Sequence, residues 1–335
     1  PNVVTWETAT KYNIGVESAW FDSSLSMNID FFKERREDIL TNPKRYVLAA
    51  GAVGLPPYNF GIVENKGFEM ELGWNSTIGK VNYYLKGIYA FNRNKVIEKS
   101  EAAKPYPYMY EAGLPIKQFI GYQYDGFFSS YDEIASSPQQ FGLTNLKPGD
   151  IKYKDINGDG IVDENDQAPI GYSTVPEMTY SLQLGASYKG FDVSVMFQGA
   201  ARSSVYLYQD LGWDNMTGNY YEEHINRWTP ETAATATYPR FLQGSKESHQ
   251  NYYLSDFWLK DGKYLRLKNV MISYTFDKKM LRKTPFSSLK IFASGFNLIT
   301  WDKLKKVDPE VAPSSNTGYF YPQQRQYNMG INVSF

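Results

Sequence analysis

Cysteine is absent from the 335 residues, and histidine occurs only twice, at His224 and His249. The first absence excludes a disulfide frame, a thiol nucleophile and cysteine-based zinc or iron–sulfur centres. Neither histidine belongs to a metal or triad pattern. A charge excess is missing too, since 35 basic residues face 36 acidic ones for a net charge of −1. Without a global basic field, no nucleic-acid partner is expected. No stretch of about 18 apolar residues exists, which excludes a transmembrane helix. The chain starts at Pro1 with no initiator methionine and no basic or apolar leader. It therefore reads as a mature product or a fragment.

Aromatic side chains, by contrast, are abundant. Tyrosine (28) outnumbers glycine (26) and aromatics make up 16%, yet the mean hydropathy is −0.49. Disordered chains lack aromatics, so that class is excluded. The pattern along the chain explains the combination. Apolar residues recur at every second position, the spacing of strands with two unlike faces. At the end, Tyr327, Met329, Ile331, Val333 and Phe335 alternate with Asn328, Gly330, Asn332 and Ser334. Phe191, Val193, Val195 and Phe197 alternate with Asp192, Ser194, Met196 and Gln198. Tyr180, Leu182, Leu184 and Ala186 do the same just before them, across a tight turn at Lys189-Gly190.

Nine strands are expected, over 13–21, 25–33, 67–75, 81–91, 178–187, 191–200, 264–276, 288–300 and 326–335. In the seventh the apolar phase moves from Leu265/Leu267 to Val270/Ile272/Tyr274, which predicts a bulge near Asn269. Connections alternate in length. Those over 22–24, 76–80, 188–190 and 277–288 are short, and those over 34–66, 92–177, 201–262 and 301–325 are long. Segment 116–128 is read as part of a loop and not as a spanning strand. Short periplasmic turns, long extracellular loops and strands of about ten residues are the rhythm of a transmembrane barrel. Trp20, Phe21, Phe31, Phe32, Trp74, Phe91, Tyr274, Phe276, Trp301 and Phe335 fall near strand ends, where interfacial rings belong. The expected fold class is all-β, an antiparallel transmembrane β-barrel with long extracellular loops. Its odd strand count predicts further strands before Pro1, because single-chain bacterial barrels have even numbers.

Several stretches carry a family resemblance. Asp261-Gly262-Lys263-Tyr264-Leu265-Arg266-Leu267-Lys268-Asn269-Val270, closing in Ser273-Tyr274-Thr275-Phe276, resembles the penultimate region of SusC/RagA-type TonB-linked outer-membrane proteins. So do Asn226-Arg227-Trp228-Thr229-Pro230-Glu231, Tyr238-Pro239-Arg240, Asn65-Lys66-Gly67-Phe68-Glu69 and Asp308-Pro309-Glu310. Asp155-Ile156-Asn157-Gly158-Asp159-Gly160 and the turn Tyr188-Lys189-Gly190-Phe191-Asp192 fit the same family. The resemblance implies an outer-membrane barrel of about 22 strands, with this chain as its C-terminal nine. It also implies TonB contact through a plug domain that this chain lacks, and a SusD-like surface lipoprotein as a lid. The implied cargo is glycans, oligosaccharides or peptides too large for porins.

The sharpest local motif lies in the loop over 92–177. Asp155, Asn157, Asp159, Asp163 and Asp166 occupy positions 1, 3, 5, 9 and 12 of a calcium-type loop, with Gly160 at the sixth. The backbone carbonyl of Ile161 would serve at the seventh. Position 12 is Asp where such loops carry Glu, and no helices flank the segment. A structural calcium is expected here, ordering the loop; the alternative is an Asx-rich turn that binds nothing. Glu69 and Glu71 sit two apart on one strand face, and no second carboxylate pair suggests catalysis. No catalytic residue is assigned, so no enzyme activity is expected. The stretch Gly73–Val81 imitates a phosphate loop but has the wrong glycine spacing, and Val81 stands where Ser or Thr is required. A short helix is expected within 220–228. Tyr206, Tyr208, Trp213, Tyr220 and Tyr221 could stack on sugar rings or pack the long loops against themselves or a lid.

Import of large nutrients is thus the leading expectation. One alternative is a structural barrel subunit of a larger outer-membrane secretion or assembly complex. Another is a secreted calcium-dependent carbohydrate-binding β-protein.

Overall fold

The computed structural model describes residues 4–42, 56–208, 212–214, 220–242, 249–304, 307–310 and 323–335. Nine long strands form one sheet: β1 (Thr8–Trp20), β2 (Leu25–Thr41), β3 (Tyr58–Ile78), β4 (Val81–Glu98) and β5 (Met178–Tyr188). It continues through β6 (Phe191–Ala201), β7 (Tyr264–Thr275), β8 (Ser288–Asp302) and β9 (Gln326–Ser334). Each strand pairs antiparallel with its neighbours in chain order. The expected meander is present. Segment 116–128 contributes only short strands outside the wall, at Phe119–Gly121 and Tyr124–Phe127. Among the described residues no helix is long and apolar enough to cross a membrane, which says nothing about strands.

The register converts the period-two pattern into continuous rows. Leu85, Leu184, Val195 and Val270 are successive partners across β4–β7, all on one face. The opposite face carries Ser181, Gln198 and Arg266. The Lys189-Gly190 turn is feasible because both residues take left-handed backbone, at φ 47° and 89°. A Cβ on Gly190 would come within 2.4 Å of the Thr275 carbonyl oxygen, so glycine is required there on two counts.

Aromatic rows bound the apolar band. Phe31, Phe68 and Phe91 are direct partners at the long-loop side. Phe191 and Tyr274 pack with tilted rings, centroids 4.5 Å apart, at the short-turn side. Along β4 the band runs from Val81 to Phe91, or about 33 Å of strand and about 23 Å of height at a ~45° tilt. That matches an apolar band of about 25 Å.

Several strands run beyond their expected ends, mostly toward the long loops, although β3 also gains three residues toward the short turn, to Ile78. β3 has 21 residues and β2 has 17. Past Phe31, Phe68 and Phe91 both faces meet polar surroundings, so the alternation that marks a strand fades while the backbone ladder continues. At the anticipated bulge, Met196 pairs with Asn269 and Phe197 with Leu267. Lys268 is the extra residue, which restores the apolar phase for Val270 onward.

Candidate functional site

The buried core of the described chain lies in its long connections and hardly at all in its wall. The described residues of segments 99–177 and 202–263 pack together around Tyr122, Ile151, Tyr153, Val162, Trp213, Tyr238, Tyr252 and Trp258. Edge-on rings knit the cluster, with Tyr122–Phe141 at 5.0 Å and Phe257–Trp258 at 4.8 Å. Such pairs add about 0.5–1.5 kcal/mol each beyond area burial.

Polar groups inside this assembly join the two long loops. Asp150, fully buried, accepts from Arg240 Nη2 at 3.0 Å and lies 2.8 Å from Arg240 Nε as an ion pair. Asn251 Nδ2 donates to the same carboxylate at 2.9 Å, and Asn251 Oδ1 accepts from the Ile151 amide. Gly149 sits at φ +90°, where a Cβ would meet the Trp228 ring at 2.5 Å. The family-like segments around Trp228 and Tyr238-Pro239-Arg240 therefore converge on Gly149-Asp150. Tyr153 Oη donates to the Gln250 carbonyl at 2.7 Å, and Tyr252 Oη donates to Asp214. Burial raises the pKa of all three phenols Tyr153, Tyr238 and Tyr252 above the ordinary tyrosine value, so they remain donors. Burial also lowers the His249 ring below its ordinary value, reinforced by Arg240 and opposed by Asp150.

The helix α1 (Tyr131–Ser136) is capped by Ser130, whose Oγ accepts from the Glu133 amide. Glu133 is held to about pKa 2 by the Ser129 hydroxyl and amide, and then by Lys152. Glu133 thus bonds the residue before the cap and ties the helix to Lys152 at 2.9 Å.

The Asp-rich segment is wound on its own backbone amides. Asp155 accepts from the Gly158 amide at 2.6 Å and the Gly160 amide at 2.8 Å. Both glycines are left-handed, at φ +76° and +86°. Asp159 accepts from the Ile161 amide and Asp163 from the Asn165 amide. Asp166 is fully buried and closes the loop by accepting from the Ile156, Asn157 and Asp163 amides. The Asn157 side chain bonds Asp159, not a shared centre. Among the described residues no three His, Cys, Asp or Glu side chains group as a metal site. The carboxylates thus face amides of their own segment, as Asp residues do in Asx turns.

On the inner face of the wall, two other family-like segments meet. Arg266, 2% exposed, reaches Asp308 at 2.8 Å, Glu310 at 3.1 Å and Thr300 Oγ1 at 2.9 Å. Lys268, the bulge residue, reaches Glu310 at 2.8 Å. This cluster ties the segment after β8 to the wall.

Of the proposed sugar-stacking rings, Trp213 is buried and Tyr206 and Tyr208 pack against the same core. Tyr221 edges onto His224. Only Tyr220 is broadly exposed, stacked at 5.2 Å on Phe241. Packing is their main role. The helix expected within 220–228 is a 3-10 turn, Glu222–Asn226. Glu71 is paired with Lys86 at 2.8 Å on the inner face, and 73–81 is a hairpin. The loop-joining residues Asp150, Gln250 and Asn251 carry no sequence pattern of their own, since their partners lie about a hundred positions away.

An apolar outer face, a polar inner face and a packed assembly at the long-loop end define part of an outer-membrane β-barrel. Residues 2–298 match the family model described as TonB dependent receptor-like, beta-barrel, and the chain belongs to that family. It is 26% identical to the TonB-dependent receptor P3 of Formosa agariphila, over 98% of this chain and 34% of the relative. Against the TonB-dependent receptor SusC of Bacteroides thetaiotaomicron it is 22% identical, over 98% of this chain and 32% of SusC. Among solved structures, the RagAB peptide transporter superposes with a TM-score of 0.74 at 22% identity, covering 98% of this chain and 36% of that one. The chain spans about a third of the length of the curated relatives it matches. Outer-membrane residence displaces the secreted β-protein alternative.

Proposed function

We propose that the chain forms the C-terminal portion of a TonB-dependent importer for nutrients too large to diffuse through porins. The observation that carries this reading is the packed, polar-threaded assembly at the long-loop end of a membrane wall whose inner face is charged. A wall meant only to seal a membrane has no need of joined loops with their own core. In this reading the long loops face outward and meet a SusD-like lipoprotein lid, and TonB acts through a plug domain encoded outside this chain. The cargo is a glycan, an oligosaccharide or a peptide. Deleting the full-length protein from its host and measuring growth on oligomeric and monomeric forms of each class tests it. Growth should fail on one oligomer class and survive on its monomers. Unchanged growth on every oligomer would contradict the import role.

The Asp155–Asp166 loop is proposed to bind calcium as an ordering ion. Side-chain oxygens of Asp155, Asn157, Asp159, Asp163 and Asp166 and the Ile161 carbonyl would supply the ligands. The loop spacing and the left-handed Gly158 and Gly160 support it. Carboxylates that now accept from backbone amides would turn inward. Elemental analysis of the purified full-length protein, with protease sensitivity before and after chelation, decides the matter. Bound calcium and faster cleavage near 155–166 after chelation are expected; no calcium and unchanged cleavage would remove the ion.

A further inference from the structure

On the outer face of β2–β4 the chemistry changes abruptly just beyond the apolar band. Phe31, Phe68 and Phe91 form the last aromatic row, with ring centroids 6.0 and 6.2 Å apart. One pleat further toward the long loops, on the same face, the partners are Lys33, Lys66 and Arg93. The next pleat sets Arg35 and Lys95 on either side of Glu64. At the end of β6, Arg202 lies over the Phe91 ring, 5.8 Å from its centroid.

Carboxylates organise this patch without neutralising it. Glu177 receives Arg93 at 2.9 Å and Arg202 at 3.2 Å and holds the two guanidinium groups together. Glu64 takes Lys33 at 2.9 Å and Glu37 takes Arg35 at 2.8 Å. Among the described residues, no carboxylate lies within 4.0 Å of Lys66 or Lys95. Six cations thus meet three carboxylates. Like charges placed directly opposite one another destabilise a sheet, so the Lys33–Lys66–Arg93 row favours an anion from outside. Strands about 4.8 Å apart and a pleat of about 7 Å make the patch about 10 by 7 Å. That is the scale of a phosphorylated sugar headgroup.

We propose that this patch binds the phosphorylated headgroup of an acylated glycolipid in the surrounding membrane leaflet. Its acyl chains lie along Phe31, Phe68, Phe91 and the apolar rows beneath, and its phosphates sit on Lys33, Lys66, Arg93 and Lys95. Arginine and lysine clusters at a membrane surface recognise anionic headgroups in this way. Two features point to a lipid and not to a free anion: the cations follow the last aromatic row without a gap, and they stand on the lipid-facing side. The proposal rests on the reading in which the long loops face outward.

The test uses the full-length protein in detergent, with diphosphoryl lipid A as the probe and native mass spectrometry as the readout. The variant Lys33→Gln/Lys66→Gln/Arg93→Gln/Lys95→Gln should lose affinity tenfold or more. Lys33→Arg/Lys66→Arg should retain it, and dephosphorylated lipid A should bind the wild type tenfold more weakly. If the quadruple variant fails to fold, Lys66→Gln/Lys95→Gln replaces it, with a loss of at least threefold expected. Equal affinity in a variant whose gel heat-shift matches wild type would overturn the proposal and leave the barrel intact. Displacement of the lipid by an equal concentration of inorganic phosphate would overturn it too, in favour of a free anion. Absence of a heat-shift in the wild type would remove the barrel reading and the proposal together.

Discussion

In the wall, Met329 is 89% exposed and Phe31 54%, with Ile14 and Ile272 pointing the same way. In the loop assembly, Trp258 and Tyr153 are 2% exposed and Ile151 is sealed completely. Large apolar side chains occupy both regions on opposite plans. The wall turns them outward because its solvent is hydrocarbon, and it satisfies its backbone through the strand ladder. The loop assembly faces water and hides its rings around a core, as a soluble domain does. The tyrosine-rich composition with negative mean hydropathy follows from that division. Rings serve in both regions, and polar side chains fill the inner wall and the loop surface.

The largest break in this contrast is expected from Trp258→Ala. The Trp258 indole packs on Tyr252 and Phe257 and donates to the Asn251 carbonyl at 2.7 Å. Its loss should cost about 3–5 kcal/mol, confined to the loop assembly. Limited proteolysis should cut 99–177 and 202–263 faster, while the barrel keeps its heat-shift on gels. If the barrel collapses as well, the two regions are one cooperative unit. Next in size is a pair of substitutions on adjacent residues of β6. Val195→Lys places a charge near the middle of the apolar band and should cost about 2–4 kcal/mol. Ser194→Lys, on the inner face, should change stability by less than about 0.5 kcal/mol. Refolding into vesicles across a urea series measures both, and equal costs would contradict the assignment of faces.

Acid should act on the loops before the wall. The Glu133 carboxyl is lowered from 4.5 to about 2, so its contribution is fully present above about pH 4.5 and fades as pH falls toward 2. Hydrogen exchange in α1 should accelerate over that window, and in Glu133→Gln it should lose most of the pH dependence. A small effect, on the scale of the inner-face control, is expected from Lys86→Gln, which breaks an ion pair with Glu71 in which both side chains are more than a third exposed. Thermal unfolding should shift by an amount equivalent to less than about 1 kcal/mol.

The wall was legible because lipid imposes a strict rule: Leu182, Leu184, Val193, Val195 and Phe197 alternate with polar residues, and the Lys189-Gly190 turn fixes their register. The same rule explains the errors at strand ends. Beyond Phe31, Phe68 and Phe91, residues such as Lys33, Glu64, Lys66 and Lys95 show no apolar phase, yet they continue the ladder. The loop assembly was mostly illegible. Asp150 meets Arg240 and Asn251 across ninety and more positions, and nothing in local spacing announces a contact of that range. Gly149 looks like any turn glycine until Trp228 is seen above it. The Asp155–Asp166 segment was visible because the amides that its carboxylates accept from lie within the segment itself.

The central claim is that one chain answers to two solvents, with a switch of face at successive wall residues outside the bulges. Single cysteines at 193, 194, 195, 196, 197 and 198 in the full-length protein, spin-labelled in vesicles, test it most directly. Oxygen accessibility should peak at 193, 195 and 197, and water-soluble nickel accessibility at 194, 196 and 198, while a label at 162 in the loop core is shielded from both. Equal accessibility at odd and even positions, or a water-open site at 162, would contradict the account.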